Sequence, residues 1–453
     1  MNPSSPVAYV SCRAGSPLNG TIRVPGDKSI SHRALMFAGL AIGTTRIAGL
    51  LEGEDVLRTA AAMRALGADV TREGSGMWRV SGAGIGGLHS PEDVLDMGNS
   101  GTAARLLCGI LASHDIFAVM TGDASLRRRP MRRVIDPLAA CGAVFAARDG
   151  GRLPLAVSGA ADALPLSYRL PVASAQVKSA LLLAGLNARG VTEIEEPEPT
   201  RDHSENMLRH FGAAVEVIGQ GRGKLIRLRG QPELMASDVM VPGDPSSAAF
   251  PIVAALLVPG SCVTIEGVGL NPLRTGLVTT LCEMGADIVI LNQRAEGGEP
   301  VGDLMVRATT LRGVDVPPER APAMIDEYPI LAVACALAIG QSRLRGLGEL
   351  RVKESDRLAA TLAMLRVNGA QVEVDGDDMI IMGGANRLGG GTVMTHMDHR
   401  LAMSALVLGL VADDPVTIDD AAFIDTSFPG FVDLMRGLGA VIGPAGGPVE
   451  GLA

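Results

Sequence analysis

Six stretches of this chain are apolar almost all round a helical wheel, and each is entered through small polar residues. Asp27-Lys28-Ser29 leads into ALMFAGLA, Asn99-Ser100-Gly101-Thr102 into AARLLCGILA, and Ser174-Ala175-Gln176 into VKSALLLAGL. Asp244-Pro245-Ser246-Ser247 leads into AAFPIVAALL, Asp326-Glu327-Tyr328-Pro329 into ILAVACALA, and Asp398-His399-Arg400 into LAMSALVLGL. Asp, Asn and Ser favour helix N-caps and Pro the first turn, so each phrase predicts a capped helix. A helix with no polar face is buried. Between these runs lie amphipathic patterns that end in Gly-Ala, at Gly67, Gly142, Gly212, Gly285, Gly369 and Gly439, 70 to 84 positions apart. Each of these glycines is expected in the left-handed conformation just past a helix, with a short β run such as TRIAGL, WRVSG, VTIEGV or PVTIDD nearby.

The recurrence predicts six units, each with one buried helix, one amphipathic helix and β runs. A chain of 453 residues exceeds what one core supports. Three units precede residue 238 and three follow, so the expected fold is α/β: two pseudo-symmetric domains of three repeated β/α units, with buried central helices. The expected bounds are 21–238 and 239–453, with a joint near 236–241. Composition sharpens the picture. The 57 glycines are about one residue in eight, against about 7% on average. With only 8 Phe, 3 Tyr and 1 Trp, the core must be built from small and aliphatic residues that let central helices approach closely.

A net charge of −9 argues against a protein that coats nucleic acid. The six cysteines form no C-x-x-C pair, and the four that lie inside apolar runs fit buried thiols of a reducing compartment. No apolar run reaches the roughly 20 residues of a membrane span, and the start of the chain lacks a signal pattern. A cytoplasmic protein without a membrane partner is expected.

Helix N-termini carry unpaired N–H groups and a positive dipole end, which suits them to anions. The cap regions carry Lys28, Ser29, Arg33, Arg105, Ser174, Gln176, Asp326, Glu327, His399 and Arg400. The amphipathic helices add Arg201, Lys353, Glu354 and Arg357, and a turn adds Arg127, Arg128 and Arg129. So many cations facing three or four acids imply bound phosphate and carboxylate. Gly82-Ala83-Gly84-Ile85-Gly86-Gly87 fits G-x-G-x-x-G but precedes His89-Ser90-Pro91 rather than a helix, and it is expected to be a loop. No metal-binding spacing and no phosphate loop with GK[ST] occurs. His399 is open between capping and acting as a base.

These residues lie in motifs that resemble the 5-enolpyruvylshikimate-3-phosphate synthase family. "GDKSISHRALMFAGLA", "GNSGTAARLL", "GDASLRRRPMRRVIDPL", "SAQVKSALLLAGL", "TRDHSENML", "DEYPILAVACA", "LRVKESDRL" and "DHRLAMSALVLG" run in family order from Gly26 to about Gly409. The resemblance implies two three-unit domains of the inside-out α/β barrel type, closing on substrates, with the segment 1–20 joined to the C-terminal domain. It implies transfer of the carboxyvinyl group of phosphoenolpyruvate to the 5-hydroxyl of shikimate 3-phosphate, with release of phosphate, in aromatic amino-acid biosynthesis. No cofactor, metal or nucleic acid is implied, and a monomer is expected. Lys28, Arg129, Arg357 and Arg400, with Gly101 nearby, match the phosphoenolpyruvate-binding positions. Ser29, Arg33, Ser174, Ala175, Gln176 and Arg201 match shikimate 3-phosphate contacts, and Asp326, Glu354 and Lys353 match the reacting centre. Asp326 is assigned as base toward the hydroxyl and Glu354 as donor to the methylene, although the two could exchange roles. Lys28 would stabilise, and could protonate, the departing phosphate.

The match has departures. Leu106 stands where the better-known pattern has Pro, and Ala422 where many members carry a substrate-binding Lys. Both resemble the more divergent bacterial branch, which often has Ala at the place of Gly101; Gly there leaves room for the herbicide glyphosate. Two alternatives stand beside this reading. UDP-N-acetylglucosamine enolpyruvyl transferase shares the fold, but its arginine-loop Cys is absent from Ala124–Pro130. A non-catalytic binding protein of the same fold would be free to lose Lys28, Asp326 or Glu354, and all three are present.

Overall fold

The computed structural model describes residues 6–384 and 387–446. The six apolar runs are helices, at Lys28–Leu40, Gly101–Ala112, Ala175–Gly185, Pro245–Leu257, Tyr328–Leu337 and His399–Gly409. Five begin as the sequence predicts. The side chains of Asp27, Ser100, Ser174, Asp244 and Asp398 accept hydrogen bonds from the N–H groups of Ile30, Ala103, Val177, Ser246 and Arg400. The helix at Tyr328–Leu337 departs from this. Glu327 occupies its cap position in a helical conformation without a side-chain cap bond, and Asp326 lies outside the helix. Pro329, at the second helical position, has no N–H for a cap to receive. Asp326 is thereby released for other partners.

The chain forms two compact units, 26–242 with 295–299, and 1–25 with 243–294 and 300–453. Among the described residues each holds three of the buried helices and three four-stranded sheets. In the first unit each sheet follows one order: a short strand, the strand after the buried helix, the last strand of the repeat, then the strand after the amphipathic helix. Leu95–Asp96, Phe117–Thr121, Arg152–Ser158 and Val144–Arg148 are one example, with the first pair parallel and the others antiparallel. In the other unit, Asn19–Ile22 runs parallel to Cys262–Gly269. Tyr9–Cys12 completes the last sheet, antiparallel to both Val416–Ile418 and Val441–Pro444.

Glycine has two recurring tasks. The six Gly-Ala glycines all have positive φ, from 86° at Gly369 to 109° at Gly67. Ala68, Ala213, Ala286, Ala370 and Ala440 then donate N–H bonds back to carbonyls five residues earlier, closing the helix end. Gly285 has no atom within 4 Å of a Cβ position. Gly285→Ala is therefore expected to cost only the left-handed backbone strain, about 1–2 kcal/mol, read as a lower urea midpoint at unchanged m-value. The second task is close approach. A Cβ on Gly109 would lie 2.1 Å from the Ala180 carbonyl oxygen, so two buried helices touch backbone to backbone. A Cβ on Gly82 would lie 2.1 Å from the Ala41 oxygen; the G-x-G-x-x-G segment it opens is a loop.

A third device escaped the sequence reading. Three residues before the glycine, Arg64, Arg209, Arg366 and Arg436 each donate to the carbonyl of Val70, Val215, Val372 or Ile442 on the following strand. Each locks a helix to its strand in four of the six units.

Each unit has its own apolar core. Cys12, Cys108, Cys141 and Cys335 are buried, whereas Cys262 and Cys282 are exposed. Among the described residues no helix is long and apolar enough to cross a membrane. His32 is fully buried, with Nδ1 2.7 Å from Thr59 Oγ1, and burial lowers its pKa from 6.5 to about 3. Between those values the unfolded chain binds a proton that the folded chain refuses. Stability should fall as pH drops through this window, by up to about 1.4 kcal/mol per pH unit from this group. Unfolding at pH 7 and pH 5 should show a smaller loss in His32→Gln than in the wild type.

Candidate active site

The candidate residues fall into two clusters, one in each unit, and each is built on helix starts. In the unit containing 26–242, Lys28 opens the first buried helix and forms a close ion pair with Asp55. Asp55 sits in the first turn of the amphipathic helix Glu54–Ala65 and is buried. One turn on, Arg33 is 3% exposed. It donates from Nε to Ser204 Oγ at 2.8 Å, from Nη2 to Ser179 Oγ at 2.7 Å, and from Nη1 to the Ser29 carbonyl at 2.8 Å. Burial lowers its pKa to about 10, and Asp27 and Glu205 oppose that shift.

Gln176, at the start of the third buried helix, accepts from Arg105 Nη1 at 2.9 Å and from Arg133 Nη2 at 3.4 Å. Its amide donates to Thr102 Oγ1 at 3.1 Å. Arg129 donates to Asn99 Oδ1 at 2.9 Å, and Asn99 in turn donates to Asp123. A Cβ on Gly101 would lie 2.9 Å from Arg105 Nη1 and 3.2 Å from Arg129 Nη1. Two guanidinium groups thus converge on the open face of one glycine, at a helix N-terminus. Ser29, Ala175, Arg129 and Arg201 are partly exposed, and Ser174 is engaged as the cap.

In the other unit the chemistry gathers on Arg357, which is 1% exposed and begins the helix Arg357–Val367. Its Nη1 is 3.1 Å from Asp326, its Nη2 2.6 Å from Glu354, and its Nε 2.7 Å from Asp398. Burial opposes the charge, but Glu354, Asp398 and Asp326 outweigh it and drive the pKa well above the ordinary arginine value. Lys353 Nζ stands 3.7 Å from Asp326. Arg400 donates to the Asp326 carbonyl at 3.2 Å and lies 3.6 Å from Glu327. The Asp398 carboxylate also accepts from Ser355 and from the Arg400 N–H. Its pKa is lowered: burial raises it, and Arg357 and His399 more than compensate. Capping at this helix belongs to Asp398, not His399.

The expectation that cations outnumber acids therefore needs correction. In this second cluster three cations, Arg357, Lys353 and Arg400, face four acids, Asp326, Glu327, Glu354 and Asp398, so the acids are in excess by one. Cation excess is a property of the first cluster, where Arg129 and Arg133 meet only neutral partners among the described residues. Sequence reasoning did not single out Asp55, Asn99 or Asp398 as partners. For Asp55 the available signal was an acid on the inward stripe of an amphipathic helix. Among the described residues no cluster of His, Cys, Asp and Glu could hold a metal ion.

A model of the EPSP synthase (3-phosphoshikimate 1-carboxyvinyltransferase) family matches residues 12–435. A 3-phosphoshikimate 1-carboxyvinyltransferase of Acidiphilium cryptum is 79% identical, over 98% of this chain and 99% of that protein. One of Granulibacter bethesdensis is 72% identical, over 96% and 97%. The solved EPSP synthase of Acinetobacter baumannii superposes with a TM-score of 0.88 at 42% identity, covering 96% of this chain and 99% of that one. The enolpyruvyl transferase NikO of Streptomyces tendae shares the fold, with a TM-score of 0.77 at 19% identity and coverage of 98% and 100%.

Proposed function

The chain belongs to the EPSP synthase (3-phosphoshikimate 1-carboxyvinyltransferase) family, and from that membership we propose that it moves the carboxyvinyl group of phosphoenolpyruvate onto the 5-hydroxyl of shikimate 3-phosphate. The observation that carries the reading is the division of labour between the clusters. An excess of cations suits two phosphorylated, carboxylated substrates, and a set of carboxylates around one buried arginine suits proton transfer.

Addition requires the 5-hydroxyl oxygen to bond C2 of phosphoenolpyruvate, its proton to leave, and C3 to gain a proton. Asp326 takes the hydroxyl proton and Glu354 supplies C3. Elimination then breaks the C2–O bond to phosphate while C3 loses a proton, so the products are an enol ether and inorganic phosphate. The two carboxylates are differently placed for these tasks. Asp326 is mostly buried, 3.1 Å from Arg357 and 3.7 Å from Lys353. Glu354 is 2.6 Å from Arg357 and one-third exposed, so solvent reaches it more readily than Asp326. Arg357, Arg400 and Arg129 compensate the phosphoenolpyruvate charges, and the substrate carboxylate would replace one of the carboxylates now on Arg357. Lys28 stabilises the leaving phosphate. Ser29, Arg33, Ser174, Ala175, Gln176 and Arg201 hold shikimate 3-phosphate.

Proton NMR of the reaction should show new vinyl signals from the enol ether only when both substrates are present. Their absence in the presence of active enzyme would refute the assignment. Gly101 leaves open the space an alanine methyl would fill between Arg105 and Arg129. Millimolar glyphosate is therefore expected to inhibit; full activity in its presence would contradict this use of the site.

A further inference from the structure

Behind Arg33 and Arg201 lies a charge cluster that the chemistry above does not use. Lys178 and Glu196 are both fully buried, and Glu205 is 2% exposed. Lys178 Nζ is 2.8 Å from Glu205 Oε1 and 3.1 Å from Glu196 Oε1. The same ammonium donates to the Thr200 carbonyl at 3.3 Å. The Thr200 N–H donates to Glu196 Oε1 at 3.0 Å, and the Thr200 hydroxyl makes a short hydrogen bond to that oxygen. Every polar group of Thr200, the residue before Arg201, is held by this one ion pair.

The cluster reaches Arg33 as well. Ser179 follows Lys178 on the helix Ala175–Gly185, and Ser204 precedes Glu205 on the helix His203–His210. Ser204 Oγ donates to Ser179 Oγ at 2.7 Å, and the two hydroxyls together receive Nη2 and Nε of Arg33. The Lys178–Glu205 bridge thus fixes the spacing of the two helices whose serines aim the guanidinium. Burial disfavours the Lys178 ammonium, but Glu205 and Glu196 raise its pKa above the ordinary value. A buried ion pair is weak evidence for stability, since apolar side chains of similar volume often serve as well. Its presence calls for a geometric reason.

We propose that Lys178, through Glu196 and Glu205, is a positioning residue that sets Arg33 and Arg201 for shikimate 3-phosphate. This rests on the reading above that those two arginines bind that substrate. Three variants test it: Thr200→Val, Lys178→Met, and the triple Lys178→Met/Glu196→Gln/Glu205→Gln, which removes the ammonium and both carboxylate charges. Calorimetry gives the Kd for shikimate 3-phosphate without phosphoenolpyruvate, and steady-state kinetics give both KM values.

Lys178→Met is expected to weaken shikimate 3-phosphate about 10-fold or more, as displaced positioning groups do, while KM for phosphoenolpyruvate stays within about 2-fold. Thr200→Val should weaken it about 3-fold, having lost one of three tethers. The triple variant should regain thermal stability but not affinity. Recovery of wild-type affinity together with Tm would show a purely structural role and overturn the proposal. Equal rises in both KM values would overturn it too. If Lys178→Met fails to fold, the other two variants decide. A wild-type protein that binds no shikimate 3-phosphate contradicts the proposed function and this inference with it. Wild-type binding with unaltered variants contradicts only the positioning role.

Discussion

Glu354→Gln is expected to lower kcat by about 10²–10⁴-fold, the usual contribution of a positioned acid or base, with both KM values within a few-fold of wild type. The amide keeps the size of the carboxyl and an oxygen that can accept from Arg357 Nη2, so substrate contacts are little changed. What it loses is the exchangeable proton that the proposed mechanism delivers to C3. The fold should survive, because Asp326 and Asp398 still compensate the buried Arg357. Asp326→Asn should lose kcat comparably. The two variants are expected to flatten different limbs of the pH–kcat profile, Asp326→Asn the acidic limb and Glu354→Gln the basic limb. The reverse pattern would exchange their roles, and an unchanged kcat in Glu354→Gln would remove that residue from proton transfer.

Lys28→Met is expected to cost about 10²–10³-fold in kcat, as loss of a preorganised donor at a charged leaving group does, together with a raised KM for phosphoenolpyruvate. It also strands the mostly buried Asp55, whose ion pair with Lys28 is short. Stability should therefore drop by up to about 3 kcal/mol, at the low end for breaking a buried pair because Lys28 keeps a quarter of its side chain exposed. Lys28→Met/Asp55→Asn separates the two effects. The double variant should recover stability in a thermal melt and remain as slow as the single one. Recovery of activity in the double variant would place Lys28 in the scaffold rather than at the leaving phosphate.

Much of the fold was legible because its repeating signals are local. Apolar wheels, polar caps and glycines past helix ends act within a few residues of themselves, and five of the six caps carry the bond that the pattern implies. The exception is the phrase Asp326-Glu327-Tyr328-Pro329, since a polar phrase before an apolar helix looks alike whether its acid caps the helix or faces away from it. Asp326 does the latter, and that is what makes it available for chemistry. Periodicity could not place Tyr9–Cys12, whose strand partners lie some 400 residues away; only the family resemblance assigned the N-terminal segment to the C-terminal half.

Charge was the least legible property. Cations could be counted along the chain, but their partners are distant in sequence: Asp55 for Lys28, Asp398 for Arg357, Glu205 and Glu196 for Lys178. Glu196 left a trace nonetheless. The alternation through Thr192 and Ile194 puts it on the inward face of its strand, and an acid at that position requires a buried cation. The family motifs located the candidate residues, while the balance between cations and carboxylates in each cluster emerged only from three-dimensional distances.

The most direct measurement of the central claim is phosphate release from phosphoenolpyruvate by the wild-type protein, with and without shikimate 3-phosphate. Catalytic release that requires shikimate 3-phosphate, with one phosphate per enol ether formed, is the predicted result. Release without shikimate 3-phosphate, no release with it, or release supported instead by UDP-N-acetylglucosamine would contradict the account.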